Sequence, residues 1–324
     1  MIPKARRPRG ITRPRQLPVV IGISIVIGFA ALISCALTAP LCAQELEPRA
    51  FSSAPVGVNF VLLSYAYSSG NVLLDPSLPV EDAKARVNNI IGAYVRTIGI
   101  LGVSGRVGAM VPYAFGEWEG LVDGEPAQTT RSNFGDPRLF FAANFLGSPA
   151  LSPRDFATRK PGTAAGFKLQ VIVPLGEYDN ARLINLGSNR WSFKPSIGFS
   201  QPLGKATIEG FVSVWLFTDN TNGPNGLTVE QDPILALQGH FLYSFTRSLW
   251  AALGAGYGWG GEATVGGDQK DSFQKNTRFA LTITKGLGRR HSLKFSALTG
   301  VSTRIGADFD SVVGAYQYRW GAGL

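Results

Sequence analysis

Apolar and polar residues alternate one by one over long stretches of the chain after residue 54. In residues 291–304, for example, the apolar Leu293 and Phe295 are at odd-numbered positions and the polar Ser292 and Lys294 are at even-numbered positions, so each set has one parity. Successive side chains of a β-strand point to opposite faces, so this period of two predicts strands. After residue 54 no stretch has a sustained 3.6-residue period or 18 consecutive apolar residues. A helical membrane-spanning region is therefore excluded for that part of the chain.

Twelve segments show this alternation and are predicted to be strands. Their approximate spans are 55–67, 85–98, 104–116, 134–146, 163–174, 190–201, 206–218, 232–245, 249–260, 273–285, 291–303 and 311–324. Most exceed the ~5–6 residues usual in soluble sheets and match the ~9–11 that cross a tilted bilayer. An even strand number brings both ends of a closed barrel to one side. We expect an all-β fold, a closed antiparallel transmembrane β-barrel of about twelve strands with up-and-down topology.

The connections between the predicted strands differ in length on the two sides of the barrel. The short ones are 99–103, 202–205, 246–248 and 286–290, and the longer ones are 68–84, 117–133, 175–188, 219–231 and 261–272. Tight periplasmic turns and longer external loops are typical of outer-membrane barrels. The connection at 147–162 is the exception, since it is long but falls on the predicted periplasmic side.

Alternation by itself does not separate a membrane barrel from a soluble sheet protein. A soluble β-sandwich also places apolar and polar residues on opposite faces, so an all-β periplasmic domain is the alternative. Aromatic pairs at the ends of the segments, such as Tyr257 with Trp259 and Tyr318 with Trp320, resemble interfacial girdles. Together with the segment lengths, they favour the bacterial outer membrane.

The first 43 residues have a different composition. Residues 1–16 contain six basic side chains, and no charged residue follows until Glu45. A basic region followed by an apolar one predicts a secretory signal peptide at 1–43, with cleavage after Ala43 and the barrel at 44–324. Two alternatives are a retained inner-membrane anchor and lipoprotein processing at Cys35.

Removal of this segment changes the charge and the cysteine content of the protein. The full chain has 31 Lys and Arg against 22 Asp and Glu, a net charge of +9, and loss of six basic residues leaves +3 (9 − 6). No nucleic-acid partner is therefore expected. Both cysteines, Cys35 and Cys42, also leave with the signal, so an exported chain without disulfides would protect its sheet edges by closing on itself.

If the apolar parity faces lipid, the other parity lines the pore. The pore-lining candidates are Arg86, Arg96, Arg106, Arg138, Lys168, Lys194, Glu209, His240, Arg278, Lys294 and Arg319. Nine of these eleven are basic, and such a lumen would favour anionic solutes over cations. The alternative is that these side chains are solvated or paired with loop carboxylates such as Glu119 and Glu177.

Glu209 and His240 are predicted on the lumen side of consecutive strands. Hairpin register could place them opposite each other. One hypothesis is that the two side chains form a hydrogen bond that helps to plug the lumen, and that the charge of this pair changes near neutral pH. The simpler interpretation is a structural pair.

Two sequence blocks resemble a known family. The first contains Pro174, Leu175, Gly176, Tyr178, Asp179, Asn185, Leu186, Gly187, Ser188, Asn189, Arg190, Trp191, Phe193 and Pro195, and the second is Asn133, Phe134, Gly135 and Asp136. They are similar to the central block and the Gly-Asp turn of the MetA-pathway phenol-degradation family. The resemblance implies an outer-membrane barrel with a transport role and supplies no catalytic residues. The ending Gly323–Leu324 departs from the aromatic last residue usual in such barrels.

No constellation for catalysis or cofactor binding is found in the sequence. His240 and His291 are about 50 residues apart without a cysteine ligand, which makes a zinc site improbable. The glycines at 254–261 lie in a predicted strand with no following helix, so they do not form a nucleotide loop. We expect no enzyme activity and no cofactor.

These observations predict an outer-membrane channel. It would take up small hydrophobic or aromatic compounds passively, and the basic lumen would favour anionic ones. The expected partners are outer-membrane lipid, a small-molecule solute and the barrel-assembly machinery. The alternative function is a non-transporting structural or adhesive barrel.

Overall fold

The structure is a computed structural model and describes residues 46–73, 80–122, 124–182 and 184–322. The predicted signal peptide, both cysteines and Gly323–Leu324 lie outside these residues. The strands are β1 (Asn59–Leu73), β2 (Val80–Ile100), β3 (Val103–Val122), β4 (Glu125–Phe134), β5 (Arg138–Leu146), β6 (Ala164–Ile172), β7 (Ser192–Leu203), β8 (Ala206–Phe217), β9 (Val229–Gln231), β10 (Ile234–Ser244), β11 (Leu249–Gly260), β12 (Ala263–Val265), β13 (Asp268–Gln269), β14 (Gln274–Leu287), β15 (His291–Ser302) and β16 (Gly306–Trp320). A short helix, α1 (Pro153–Thr158), and a 3-10 turn (Pro224–Gly226) complete the elements.

The large sheet closes into a barrel of twelve antiparallel strands. Its order is β2-β1-β16-β15-β14-β11-β10-β8-β7-β6-β5-β3-β4, and β2 also pairs with β3. β4 and β5 act as one barrel strand, because both pair with β3, β4 near its end and β5 near its start. Closure leaves each of the other barrel strands paired on both sides, whereas β4 pairs only with β3. The predicted fold class and strand number are confirmed.

Several strands are longer than the alternation predicted. β2 and β3 contain 21 and 20 residues and form a hairpin that is longer than a bilayer crossing needs. Residues 117–133 were predicted to form a loop, but most of them belong to paired strands, because residues 113–122 of β3 pair with residues 125–134 of β4. β9, β12 and β13 form a separate small sheet within the extracellular loops.

The lipid-facing surface is apolar and carries aromatic residues at both ends of the strands. Trp191 and Trp259 lie toward the long loops, and Tyr94 and Trp320 lie toward the short turns, each between 37% and 47% exposed. A soluble protein does not display an apolar surface of this extent, whereas a barrel spanning a bilayer requires one. The protein is a barrel of the bacterial outer membrane. Among the described residues, no helix is long and apolar enough to span a membrane.

The long periplasmic connection at 147–163 covers the mouth of the barrel and contains α1. Ser152 caps this helix by accepting a hydrogen bond from the amide of Asp155. The connection is tied to the barrel by hydrogen bonds from Ser104 N to Ser148 O and from Ala150 N to Gly102 O. It also receives the chain before β1, because Val56 N donates to Leu151 O. Its length therefore has a structural role at the mouth.

Candidate channel lumen

Residues 46–58, which we call the N-terminal segment, lie inside the barrel before β1 begins. Leu46, Ala50, Phe51, Ala54 and Val58 are each at most 3% exposed. The segment runs from the middle of the lumen, beside β6 and β11, down to the periplasmic mouth. The inward side chains that surround it are also almost completely buried, so the segment and these side chains fill the lumen at this level.

A buried ion pair fixes the upper end of the N-terminal segment. Lys168 Nζ of β6 lies 2.8 and 2.6 Å from the two carboxylate oxygens of Glu47. Both side chains are 5% exposed. The backbone amide of Glu47 donates to Gln238 Oε1 of β10 at 3.3 Å. Because the pair is removed from water, either partner without the other would be a buried uncompensated charge.

Two further charged residues hold the backbone of the segment from two different sides of the lumen. The Arg106 guanidinium of β3 donates to the carbonyls of Arg49 at 3.4 Å, Ala50 at 2.7 Å and Ser52 at 3.2 Å. The Glu209 carboxylate of β8 accepts from Arg49 N at 2.5 Å and Ser52 Oγ at 2.8 Å. Charge-assisted bonds of this kind are stronger than neutral ones. The segment is thus clamped between β3 and β8.

Glycines in the barrel wall make room for the apolar side chains of the segment. The Phe51 ring packs edge-on against Phe211 with centroids 5.5 Å apart. A Cβ at Gly198 would lie 2.6 Å from the Phe51 ring, and one at Gly256 would lie 2.9 Å from Leu46 Cδ2. The glycines at 254–261, which the sequence placed in a strand, thus include one where the lumen must admit the segment.

Nine of the eleven predicted pore-lining residues lie on inward positions of their strands. They are Arg106, Arg138, Lys168, Lys194, Glu209, His240, Arg278, Lys294 and Arg319. Some of them have structural contacts. Lys194 Nζ lies 4.8 Å from the ring centroid of Trp215, and Arg278 donates to Ala307 O at 2.6 Å. The lumen base Lys168 is paired with Glu47 of the N-terminal segment, not with a loop carboxylate.

The prediction was wrong for Arg86 and Arg96, which lie on the outward parity of β2. Arg86 forms exposed ion pairs at 3.7 Å with Glu117 and Glu119 of β3. The inward positions of β2 are mostly apolar and include Ile91 and Val95. A strand that is apolar on both faces has no polar parity to indicate the lumen, so the assignment failed there.

The register predicted for Glu209 and His240 is confirmed, but their hydrogen bond is not formed. The two residues are direct cross-strand partners of β8 and β10. Glu209 instead binds Arg49, Ser52 and Ser200. The His240 ring stacks on Phe211 at 5.6 Å, and its Nε2 has no hydrogen-bond partner in the described part of the chain. Glu209 serves the N-terminal segment.

The interior surface has two contrasting walls. The apolar wall, formed by β1, β2, β3 and β5, carries Phe60, Leu62, Ile91, Ala93, Val95, Met110 and Phe140, which pack with Ala54 and Val58 of the segment. Its buried charged residues are Arg106 of β3 and Arg138 of β5. The polar wall, formed by β6, β7, β8 and β10, carries Lys168, Gln170, Lys194, Ser196, Ser200, Glu209, Ser213, Gln238 and His240, with the aromatic rings of Phe211 and Trp215 among them. The lumen is therefore amphipathic, with most of its buried polar groups on one side.

Comparison with known proteins identifies the family. The family model described as "Putative MetA-pathway of phenol degradation" matches residues 68–308, about three quarters of the chain. The chain belongs to this family. No curated protein sequence matches it significantly.

Two solved structures are similar to this member of the phenol-degradation family. The COG4313 outer membrane channel from Pseudomonas putida F1 has a TM-score of 0.73 at 20% identity, over 85% of this chain and 100% of that chain. The transport unit of the autotransporter AIDA-I from Escherichia coli has a TM-score of 0.47 at 10% identity, over 82% and 90% of the two chains. The first of these similarities supports the fold.

The two sequence blocks that resemble the family meet at one structural point. The carboxylate of Asp136, between β4 and β5, accepts from Gly176 N at 2.9 Å and from Ser188 N and Oγ at 2.8 and 2.6 Å. Glu177 N donates to Phe134 O at 3.0 Å. The family motif therefore fastens the 173–191 loop to the break between β4 and β5.

Sequence reasoning missed Glu47, Arg49, Phe51 and the apolar wall. The N-terminal segment has no period that predicts an element. Its only available signals are the two acidic residues Glu45 and Glu47 placed before a predicted basic lumen, and glycines at inward positions of β7 and β11. Neither indicates on its own that the segment returns into the barrel.

Proposed function

We propose that the protein is an outer-membrane channel for passive uptake of small aromatic or other hydrophobic compounds, with a preference for anionic ones. The observation that carries this proposal is the amphipathic lumen. An aromatic carboxylate could place its ring against the apolar wall and its charge toward Lys168 and Lys194, while basic side chains disfavour cations. Membership of the phenol-degradation family supports this substrate class.

The N-terminal segment shows that the lumen can hold an aromatic ring and a carboxylate together. The ring of Phe51 packs against Phe211 of β8, and the carboxylate of Glu47 lies against Lys168. A solute with both features would compete for the same contacts. Passage then requires the segment to leave part of the lumen, so the filled barrel corresponds to a closed state.

A non-transporting structural or adhesive barrel is the second candidate. The filled lumen favours it, because a barrel that never opens has no need of a free path. Under this function the extracellular loops would carry the activity, and the N-terminal segment would be a permanent core.

Reversal potentials in planar bilayers distinguish the two functions. Purified protein is compared with a variant lacking residues 44–53, with sodium benzoate on one side or with benzylammonium chloride, which has a similar size and the opposite charge. We expect conduction of benzoate over benzylammonium and a larger current in the deletion variant. Heat-modifiable gel migration shows whether each barrel is folded. Folded protein that conducts neither ion in either form would contradict the channel and leave the structural barrel.

We also propose that the mature chain begins at Gln44, after removal of a signal peptide at 1–43, and that the barrel-assembly machinery inserts it. Leu46 already lies inside the barrel, so cleavage after Ala43 would leave only Gln44 and Glu45 upstream of it. The intact mass of protein extracted from the outer membrane should correspond to a chain starting at Gln44. An uncleaved chain in the inner membrane would show that the segment is an anchor.

A further inference from the structure

The lipid-facing surface has a groove of about 650 Å³ over strands β14, β15, β16, β1 and β2. Its floor is Gly314, where an added Cβ would meet no atom within 4 Å. Its walls include Tyr65, Leu293, Phe295 and Tyr316, which are 40% to 54% exposed. The missing side chain between large neighbours creates the concavity.

The groove follows the register of the sheet. Phe295, Gly314, Tyr65 and Ile90 are successive cross-strand partners, and Ile283 extends this row on β14. Five strands about 4.8 Å apart make the row about 19 Å long. Because barrel strands tilt by ~35–45°, a row perpendicular to them runs obliquely through the membrane. Such a groove matches an extended acyl chain.

The periplasmic end of the groove is basic and polar. Lys285, which also lines the groove, lies three residues before the β14–β15 turn. His291 Nδ1 and Tyr316 Oη are 2.6 Å apart beside it. The turn itself carries exposed Arg289 and Arg290. Their carbonyls accept from Arg319 Nε at 2.6 Å and Arg319 N at 2.9 Å, so β16 holds the turn in place.

Charge is distributed unequally between the two ends of the barrel. The connections on the short-turn side are 101–102, 147–163, 204–205, 245–248 and 288–290, and they contain seven basic residues and one acidic residue. The described extracellular loops at 173–191, 218–233, 261–273 and 303–305 contain four basic and eight acidic residues. The periplasmic rim therefore attracts anions near the membrane surface.

We propose that this groove binds one anionic phospholipid of the periplasmic leaflet. One acyl chain lies along the row over Gly314, and the phosphate contacts Lys285 and the Arg289–Arg290 turn. The apolar groove alone would accept any lipid chain. The basic end provides the preference for an anionic headgroup.

Native mass spectrometry of the full mature protein tests the site with phosphatidylglycerol and phosphatidylethanolamine of identical chains. We expect wild-type protein to retain phosphatidylglycerol in preference. Gly314→Leu should lower the retention of both lipids about tenfold, because its side chain fills the groove. Lys285→Gln combined with Arg289→Gln and Arg290→Gln should abolish the headgroup preference while chain binding remains.

Gly239→Leu is the matched control, because Gly239 of β10 is also lipid-facing and also has no atom within 4 Å of an added Cβ. Its lipid retention should equal that of the wild type. Equal losses in the two glycine variants, or no headgroup preference in the wild type, would overturn the proposal. So would displacement of the lipid by glycerol phosphate alone, since that result indicates a phosphate site without a chain site. Conductance of Gly314→Leu should be unchanged, which separates this test from that of the channel.

Discussion

The two walls of the lumen hold the N-terminal segment by different physical means. The apolar wall surrounds Ala54 and Val58 with a cluster of apolar side chains, and two of its polar side chains, Thr97 and Ser104, bind the backbone of these two residues. The polar wall binds Glu47 through Lys168 and Arg49 through Glu209, with defined distances and partners. Hydrophobic contact supplies burial without specifying position, whereas buried charged groups require particular geometry. We infer that Lys168 and Glu209 of the polar wall, with Arg106 from the other side, set the register of the segment, and that the apolar cluster supplies much of its stabilisation.

The largest effect is expected from Lys168→Ala. It leaves Glu47 buried without its partner, which costs about 3–5 kcal/mol, enough to release the segment from the polar wall. Trypsin should then cleave after Arg49, and mass spectrometry would detect the shortened chain. Lys205→Ala, in an exposed periplasmic turn, is the control and should leave Arg49 protected. Continued protection in Lys168→Ala would mean that the Glu47–Lys168 ion pair is not needed to position the segment.

Ile91→Ala tests the apolar wall. Ile91 is 3% exposed and packs in the cluster with Ala54 and Val58, so its truncation should cost about 2–4 kcal/mol of barrel stability. The temperature at which the folded gel band disappears should fall. The neighbouring Ile90→Ala, on the lipid face and 42% exposed, should lower it less. An equal decrease in this temperature for both variants would show that Ile91 inside the barrel contributes no more to stability than Ile90 on the lipid face.

Glu209→Gln should weaken the clamp without removing it. The amide retains one acceptor oxygen for Arg49 N or Ser52 Oγ but loses the charge, at a cost of about 1–2 kcal/mol. Partial trypsin cleavage after Arg49 is expected, at a lower rate than in Lys168→Ala. If Glu209→Gln released the segment more fully than Lys168→Ala, the order of importance on the polar wall would be reversed.

The smallest effect concerns ion selectivity. Lys194→Gln removes one inward charge and should lower the anion-to-cation permeability ratio about twofold, because the other basic side chains of the lumen still favour anions. Arg96→Gln removes a charge from the outward face of β2 and should change nothing. Reversal potentials in a salt gradient measure both. An effect of Arg96→Gln equal to that of Lys194→Gln would contradict the orientation of β2.

The sequence predicted the polar wall better than the apolar one. In β6 and β7, Lys168 and Lys194 alternate with lipid-facing apolar residues such as Phe167 and Phe193, so parity alone assigned the two lysines to the lumen. In β2 the inward Ile91 and the outward Ile90 are equally apolar. The alternation therefore could not show which face of β2 points into the lumen, because lipid covers one face and the N-terminal segment covers the other.

The sequence by itself determined the barrel, its strand number, the side that carries the short turns and most of the inward charges. These features follow from the two-residue period of a strand and from local turn lengths, which any window of the chain displays. Only the tertiary structure decided that residues 46–58 fill the lumen and that Glu47 meets Lys168. Those contacts join residues 121 positions apart, and their partners become neighbours only after the sheet has closed.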